Sequence, residues 1–167
     1  GAIKGDLLYV YGRFKSLLIA ADGEKYCPEG IEEAYVSTSK FIDHAILHNN
    51  QDPYTTLLIS PNKEAMKAAL APLKLSLDSE EGQRKIIELV QADLNEYKKG
   101  GKYEGQFPER WLPATFALLN EPFTEQNHLI NSTMKVVRGK VEEYFADRLN
   151  AMYTPEGKDI YYNVGKF

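Results

Sequence analysis

The sequence predicts an α+β fold: a small antiparallel sheet of about three strands, flanked by helices and preceded by an N-terminal β-hairpin. Three observations carry this. The β-prone runs, such as Leu17-Leu18-Ile19-Ala20 and Thr55-Thr56-Leu57-Leu58-Ile59, are short and bounded by turn residues. Between Lys63 and Gly101 the apolar pattern shifts to helical spacing. The 167 residues, 43% of them hydrophobic, suffice for one domain with a core of its own.

The elements follow in order. Leu7-Leu8-Tyr9-Val10-Tyr11 is β-prone, Gly12 interrupts it, and Leu17 to Ala20 resumes it. Asp22-Gly23 then predicts a tight hairpin with both central residues at positive φ. Pro28 suits a first helical turn, and Glu29, Glu32 and Glu33 complement the positive end of a helix running to about Ser39. Ile42 and Ala45-Ile46-Leu47 form one strand, Thr55 to Ile59 another, with the turn Asn49 to Pro53 between them. Antiparallel pairing follows from that short connection. Ala65, Ala68, Ala69 and Leu70 predict a helix broken near Pro72. Asp78 or Ser79 caps the next, whose stripe is Ile86, Ile87, Val90, Leu94 and Tyr97, and Lys98-Lys99-Gly100-Gly101 stops it. After a loop through Pro113, Thr115 to Leu119 is a third strand. A last helix is expected over 140–152 with Val141, Phe145 and Leu149 on one face. The tail from Thr154 either docks as an edge segment or hangs free.

Composition excludes several classes. A net charge of −4 gives no reason to expect nucleic acid or an anionic membrane as a partner. One cysteine, Cys27, rules out an internal disulfide and Cys-rich metal motifs. It fits a reducing compartment, and a cytoplasmic location is expected. No apolar run approaches the roughly 20 residues that span a bilayer, which leaves peripheral membrane contact open. The N-terminus opens in strand character, as expected of a fragment.

Residue types alone single out little chemistry. A lone lysine such as Lys135 is ordinarily a solvated surface group. His44 and His48 fall on one face of a strand about 13 Å apart, too far to share a metal, and read as ordinary polar side chains. His128 has no evident partner. Cys27 precedes a helix start but is expected to be a buried, inert thiol. No metal site, nucleophilic triad or glycine-rich phosphate loop stands out.

Two distant segments change this reading. Gly12-Arg13-Phe14-Lys15 is followed by apolar Leu17-Leu18-Ile19, then Asp22-Gly23-Glu24, then Pro28-Glu29-Gly30-Ile31-Glu32. At the far end stands Asn131-Ser132-Thr133-Met134-Lys135-Val136-Val137-Arg138. Together they resemble the small, mobile C-terminal domain of the AMP-forming, adenylate-forming ligases, the superfamily of acyl-CoA synthetases and firefly luciferase. Residues 41–61 and the run Phe123 to Ile130 look like the long-chain fatty acid–CoA ligase branch. Two departures are the long stretch over 62–110 and Ser132-Thr133 in place of that branch's proline-threonine.

The resemblance implies that residues 1–15 end a large domain and form the hinge, and that 16–167 are the C-terminal domain. It implies that Lys135 is the catalytic lysine of adenylation, that Arg13 holds the nucleotide, that Lys15 is the hinge residue and that Gly23 lines the pantetheine path of CoA. ATP, Mg2+ and CoA are implied for the full-length enzyme, with a long-chain fatty acid as substrate. The large N-terminal domain is the implied partner, and the chain alone is expected to be inactive. An acyl–carrier-protein ligase and a non-catalytic binding module of the same fold are the alternatives. Glu24, Glu32 and Trp111 are expected to serve turn, helix-start and packing roles.

Overall fold

The computed structural model describes residues 17–120, 123–133 and 135–167. Arg13 and Lys15, and with them the expected hinge, lie outside the described residues.

The chain forms two small sheets. In the first, β1 (Leu18–Ala20) lies between β2 (Lys25–Tyr26) and β4 (Asn50–Asp52). The β1–β2 pair is the expected antiparallel hairpin. Its turn differs from the expectation of two positive-φ residues. Gly23 N–H donates to the Ala20 carbonyl at 2.9 Å, Ala20 N–H to the Glu24 carbonyl at 2.8 Å, and Glu24 N–H to Asp22 Oδ1 at 3.0 Å. Gly23 alone has positive φ, +92°. One extra residue in the loop lets a glycine in the left-handed region close the hairpin by itself.

The second sheet has the order β3-β5-β6, with β3 (Ile42–His48), β5 (Thr56–Pro61) and β6 (Thr115–Leu118). β3 and β5 are antiparallel as expected, but β6 joins β5 in parallel, so the sheet is mixed. The reason lies in the connection. Between β5 and β6 run α2 (Lys63–Leu70) and α3 (Glu80–Asn95), a crossover long enough to return the chain to the same edge in the same direction.

This sheet is buried on both faces. Ala45, Leu47, Leu57, Ile59, Phe116 and Leu118 face one apolar cluster. It is completed by Ile31 and Tyr35 from α1 (Glu29–Thr38), by Met66 and Leu70 from α2, and by Ile86, Ile87, Val90 and Leu94 from α3. Ile46, Leu58, Ala117 and Leu119 face a second cluster with Phe123, Leu129, Ile130, Val141, Leu149 and Met152. The alternation is the period of two expected of strands. Leu57, Leu58 and Ile59 are fully buried, and each such side chain contributes about 1.5–3 kcal/mol.

The helix starts obey local chemistry. Asn62 Oδ1 accepts from Ala65 N–H at 3.1 Å to cap α2, and Ser79 Oγ from Gly82 N–H at 3.0 Å to cap α3. α3 ends at Asn95, and a run of turns carries the chain to Gly101. The expected last helix is two: α4 (Arg138–Tyr144) and α5 (Ala146–Ala151). They meet at Phe145, whose φ of −107° and ψ of 26° leave the helical region. The break lets the Phe145 ring turn to Phe123, at 6.2 Å between centroids, while Val141 and Leu149 both reach the sheet. A short α6 (Pro155–Lys158) and a 3-10 turn over Ile160–Asn163 follow. The tail docks: Asn163 is buried against β6, accepting from Leu118 N–H at 2.7 Å and donating to the Phe116 carbonyl at 3.0 Å.

Candidate functional site: a pinned lysine loop and a glycine turn

The segment before Lys135 is ordered by its own side chains. Thr124 N–H donates to Asn127 Oδ1 at 3.0 Å, and Asn127 N–H to Thr124 Oγ1 at 3.2 Å. Leu129 and Ile130 are buried under the second face of the large sheet. An antiparallel bridge between Ile130 and Val136 then closes a loop over residues 131–135. Val137 N–H reinforces it by donating to the Leu129 carbonyl at 2.8 Å.

Asn131 organises that loop. Its Oδ1 accepts from Thr133 N–H at 3.0 Å, from Thr133 Oγ1 at 2.7 Å and from Lys135 N–H at 3.0 Å. Its own N–H donates to the Lys135 carbonyl at 2.9 Å. The lysine backbone is therefore held on both sides by one residue. Its side chain is exposed, and among the described residues the ammonium has no partner.

Three residues on, Arg138 anchors the start of α4. Its Nη2 donates to Glu32 Oε1 at 2.7 Å, and its Nη1 to Glu32 Oε2 at 2.8 Å and to the Leu47 carbonyl at 2.9 Å. Leu47 N–H donates to Glu32 Oε2 at 2.6 Å. Burial pushes the Glu32 carboxyl up, while Arg138 and the Leu47 amide hold it down. The two-pronged geometry satisfies both groups, as a buried pair requires. Sequence reasoning gave Glu32 a helix-start role and Arg138 none. The readable signal was an acid in one family-like segment and an arginine in the other.

Gly23 lies elsewhere, at the tip of the β1–β2 hairpin. A Cβ built on it meets nothing within 4 Å. The hairpin is steadied by Glu24, which accepts from Arg110 Nε at 2.8 Å, Arg110 Nη2 at 3.1 Å and Trp111 Nε1 at 2.9 Å. These partners hold the Glu24 carboxyl below its ordinary range. Trp111 stacks on Tyr26 at 5.4 Å. Glu24 and Trp111 thus serve the turn and packing roles read from the sequence. The structure places Gly23 and Lys135 on separate elements, the glycine on the first sheet and the lysine beside the second.

The two strand histidines have definite partners. His44 stacks on Phe123 at 5.5 Å, and burial pulls its pKa down. His48 Nδ1 meets Glu142, and its Nε2 lies 3.5 Å from Asp52. Cys27 is an exposed free thiol, not a buried one. Among the described residues, no group of three or more His, Cys, Asp or Glu side chains is placed to hold a metal ion. No helix among them is long and apolar enough to cross a membrane.

No protein-family model matches the sequence. Among solved structures, the adenylation domain of a carboxylate reductase from Mycobacterium chelonae matches 83% of the chain and 19% of its own, with a TM-score of 0.67 and 24% identity. The fold is therefore one found in adenylate-forming enzymes. Long chain acyl-CoA synthetase 8 of Arabidopsis thaliana is 29% identical over 150 residues, 87% of this chain and 20% of that protein. The long-chain-fatty-acid–acyl-carrier-protein ligase AEE15, chloroplastic, of the same plant is 23% identical over 150 residues, 90% of this chain and 18% of its own. The chain spans about a fifth of the length of the curated relatives it matches. Over most of its length the chain is thus similar to a part of long chain acyl-CoA synthetases, and it shares its fold with a part of adenylation domains.

Proposed function

We propose that the chain is the moving catalytic domain of an ATP-dependent long-chain fatty acid–CoA ligase. The observation that supports this best is Lys135, an exposed ammonium with no partner among the described residues, on a loop whose backbone Asn131 holds on both sides. In acyl-adenylate formation a carboxylate attacks the α-phosphate of ATP and pyrophosphate leaves. Two anions must approach in line, and a fixed positive charge between them stabilises the charge that develops. A lysine suits this, being a compact charge on a long stem. The Arg138–Glu32 clamp fixes the chain to the sheet three residues beyond the lysine, which limits the reorganisation needed when the loop enters a cleft.

In this reading Arg13 contacts the nucleotide, Lys15 is the hinge and residues 1–15 join the domain to the large one. The domain then turns, and the Gly23 hairpin lines the path of the CoA thiol. The open space above Gly23 leaves that path clear on this side. A long-chain fatty acid, ATP and CoA are the substrates of the whole protein, with Mg2+ as cofactor, and its proposed location is the cytoplasm. In this reading Lys135 offers the reacting anions a cation, and Mg2+ is held largely by the ATP phosphates and water.

The test uses the full-length enzyme. Lys135→Ala should slow ATP–pyrophosphate exchange by roughly 10²–10³-fold while sparing thioester formation from supplied acyl-adenylate. Equal loss in both half-reactions would sink the assignment. A second reading, transfer to a carrier-protein thiol, draws on the likeness to the chloroplastic carrier-protein ligase. Turnover with holo-carrier protein but not with CoA would select it.

A further inference from the structure

The carboxyl end of β6 opens onto a groove of about 430 Å3 that Lys135 does not line. Leu118, Leu119, Phe145 and Phe167 give it apolar walls, and Asn120, Arg148 and Lys166 its polar lining. Among the described residues, none that lines the groove has an acidic side chain. Asn120 Oδ1 accepts from Lys63 Nζ at 3.0 Å, which brings a third cation to the rim.

Arg148 is the unusual member. Its guanidinium lies over the Tyr162 ring, 5.0 Å from the centroid, and its Nη2 donates to the Asn163 side-chain oxygen. Its Nη1 is buried with no hydrogen-bond partner. No carboxylate pairs with it among the described residues. Burial accordingly pulls its pKa down. Elsewhere in this chain a buried arginine is matched with care: Arg138 has the whole of the Glu32 carboxylate. Arg148 has one face on an aromatic ring, one edge on a neutral amide and an Nη1 donor unmatched. A buried guanidinium is stabilised by a counter-charge, and a planar oxyanion matches its fork of donors. Lys166 Nζ sits 4.3 Å from the Tyr162 centroid and adds a second positive charge to the same groove. The volume lies within the range of small-molecule sites, and the carboxyl ends of parallel strands are where such sites gather.

We propose that this groove binds an organic anion with a phosphate or carboxylate head and an apolar body, Arg148 and Lys166 holding the head and Phe145 and Phe167 flanking the body. The site is independent of the Lys135 reading.

The test is titration of the 15N-labelled chain, followed through its amide spectrum. The probes are octyl phosphate, octanoate, inorganic phosphate and octanol, each below any micellar concentration. Octyl phosphate or octanoate should shift the amides of Leu119, Asn120, Gly165 and Lys166 saturably, and which of the two binds tighter identifies the head. Lys166→Glu should weaken binding about fivefold, as for a solvent-facing charge. Arg148→Gln should weaken it roughly tenfold or more. If Arg148→Gln perturbs folding, the Lys166 variant still decides. The proposal is overturned if octanol or inorganic phosphate binds as tightly as the amphiphiles. It also fails if the shifts fall outside this groove, or if Lys166→Glu leaves the affinity unchanged.

Discussion

Arg138 and Glu32, 106 residues apart in sequence, form a two-pronged ion pair with side-chain exposures of 18% and 9%. The pair joins the start of α4 to α1, and both residues also bond the Leu47 backbone in β3. It ties the family-like segment near the N-terminus to the segment that carries Lys135. Removing one partner strands the other charge in the interior. Arg138→Ala should therefore cost about 3–5 kcal/mol in urea unfolding of the chain. Replacing both residues with apolar side chains of similar size should cost much less. If the single variant is as stable as the parent, the pair is not a structural clamp.

The second expectation concerns Asn131, whose side-chain oxygen gathers three donors from the lysine loop. Asn131→Ala removes all three at once, while Asn131→Asp keeps an acceptor in place. Amide exchange at Lys135 should accelerate about tenfold in the alanine variant, the cost of roughly one net hydrogen bond, and little in the aspartate variant. Equal acceleration in both would assign the loop's order to the Ile130–Val136 bridge instead. In the full-length enzyme the same alanine change should lower the rate of adenylate formation more than it alters the KM for ATP.

These residues show where the sequence was legible. Helix caps and the hairpin depend on neighbours within a few positions, so the cap at Asp78 or Ser79, the hairpin at Asp22-Gly23 (though not its turn geometry) and the strand expected from Thr55 were legible. The parallel entry of β6 depends on how a 53-residue connection (62–114) packs, which no local pattern encodes. The same holds for side-chain partnerships across the fold. Glu32 looked like a helix-start acid because it is one, and its bond to Arg138 forms only once the sheet brings α1 and α4 together. Phe145 fitted the expected helical stripe, yet its ring is better packed against Phe123 with the helix broken there. His48 was read as an ordinary polar residue because Glu142 is 94 residues away.

Gly23 offers a test that separates backbone need from function. Its φ of +92° strains any residue with a Cβ, yet the space beside it is open. Gly23→Ala should cost about 1–2 kcal/mol in thermal or urea unfolding, and Gly23→Asn less, since asparagine tolerates the left-handed region. Gly23→Leu should fold with a similar penalty, as no neighbour obstructs it. In the full-length enzyme, the leucine variant should slow thioester formation while leaving ATP–pyrophosphate exchange intact. Unchanged CoA-dependent turnover would remove Gly23 from the thiol's path.

His44 gives the chain a pH dependence with a definite sign. It sits half-buried in β3 against the Phe123 ring, on the segment that leads to the lysine loop. Burial pulls its pKa below the ordinary 6.5, and the nearby Asp43 charge offsets this only in part. The unfolded chain then binds more protons than the folded one as pH falls below about 6.5. Stability from this group is complete above that value and declines as pH falls through 6.5 toward the lower folded pKa. His44→Phe keeps the ring and removes the titration. The difference in stability between pH 7 and pH 5.5 should therefore be smaller in His44→Phe than in the parent chain. His48 lies between Asp52 and Glu142, so the comparison is made within a His48→Gln background to isolate His44. An identical pH dependence in both chains would show that His44 titrates alike folded and unfolded.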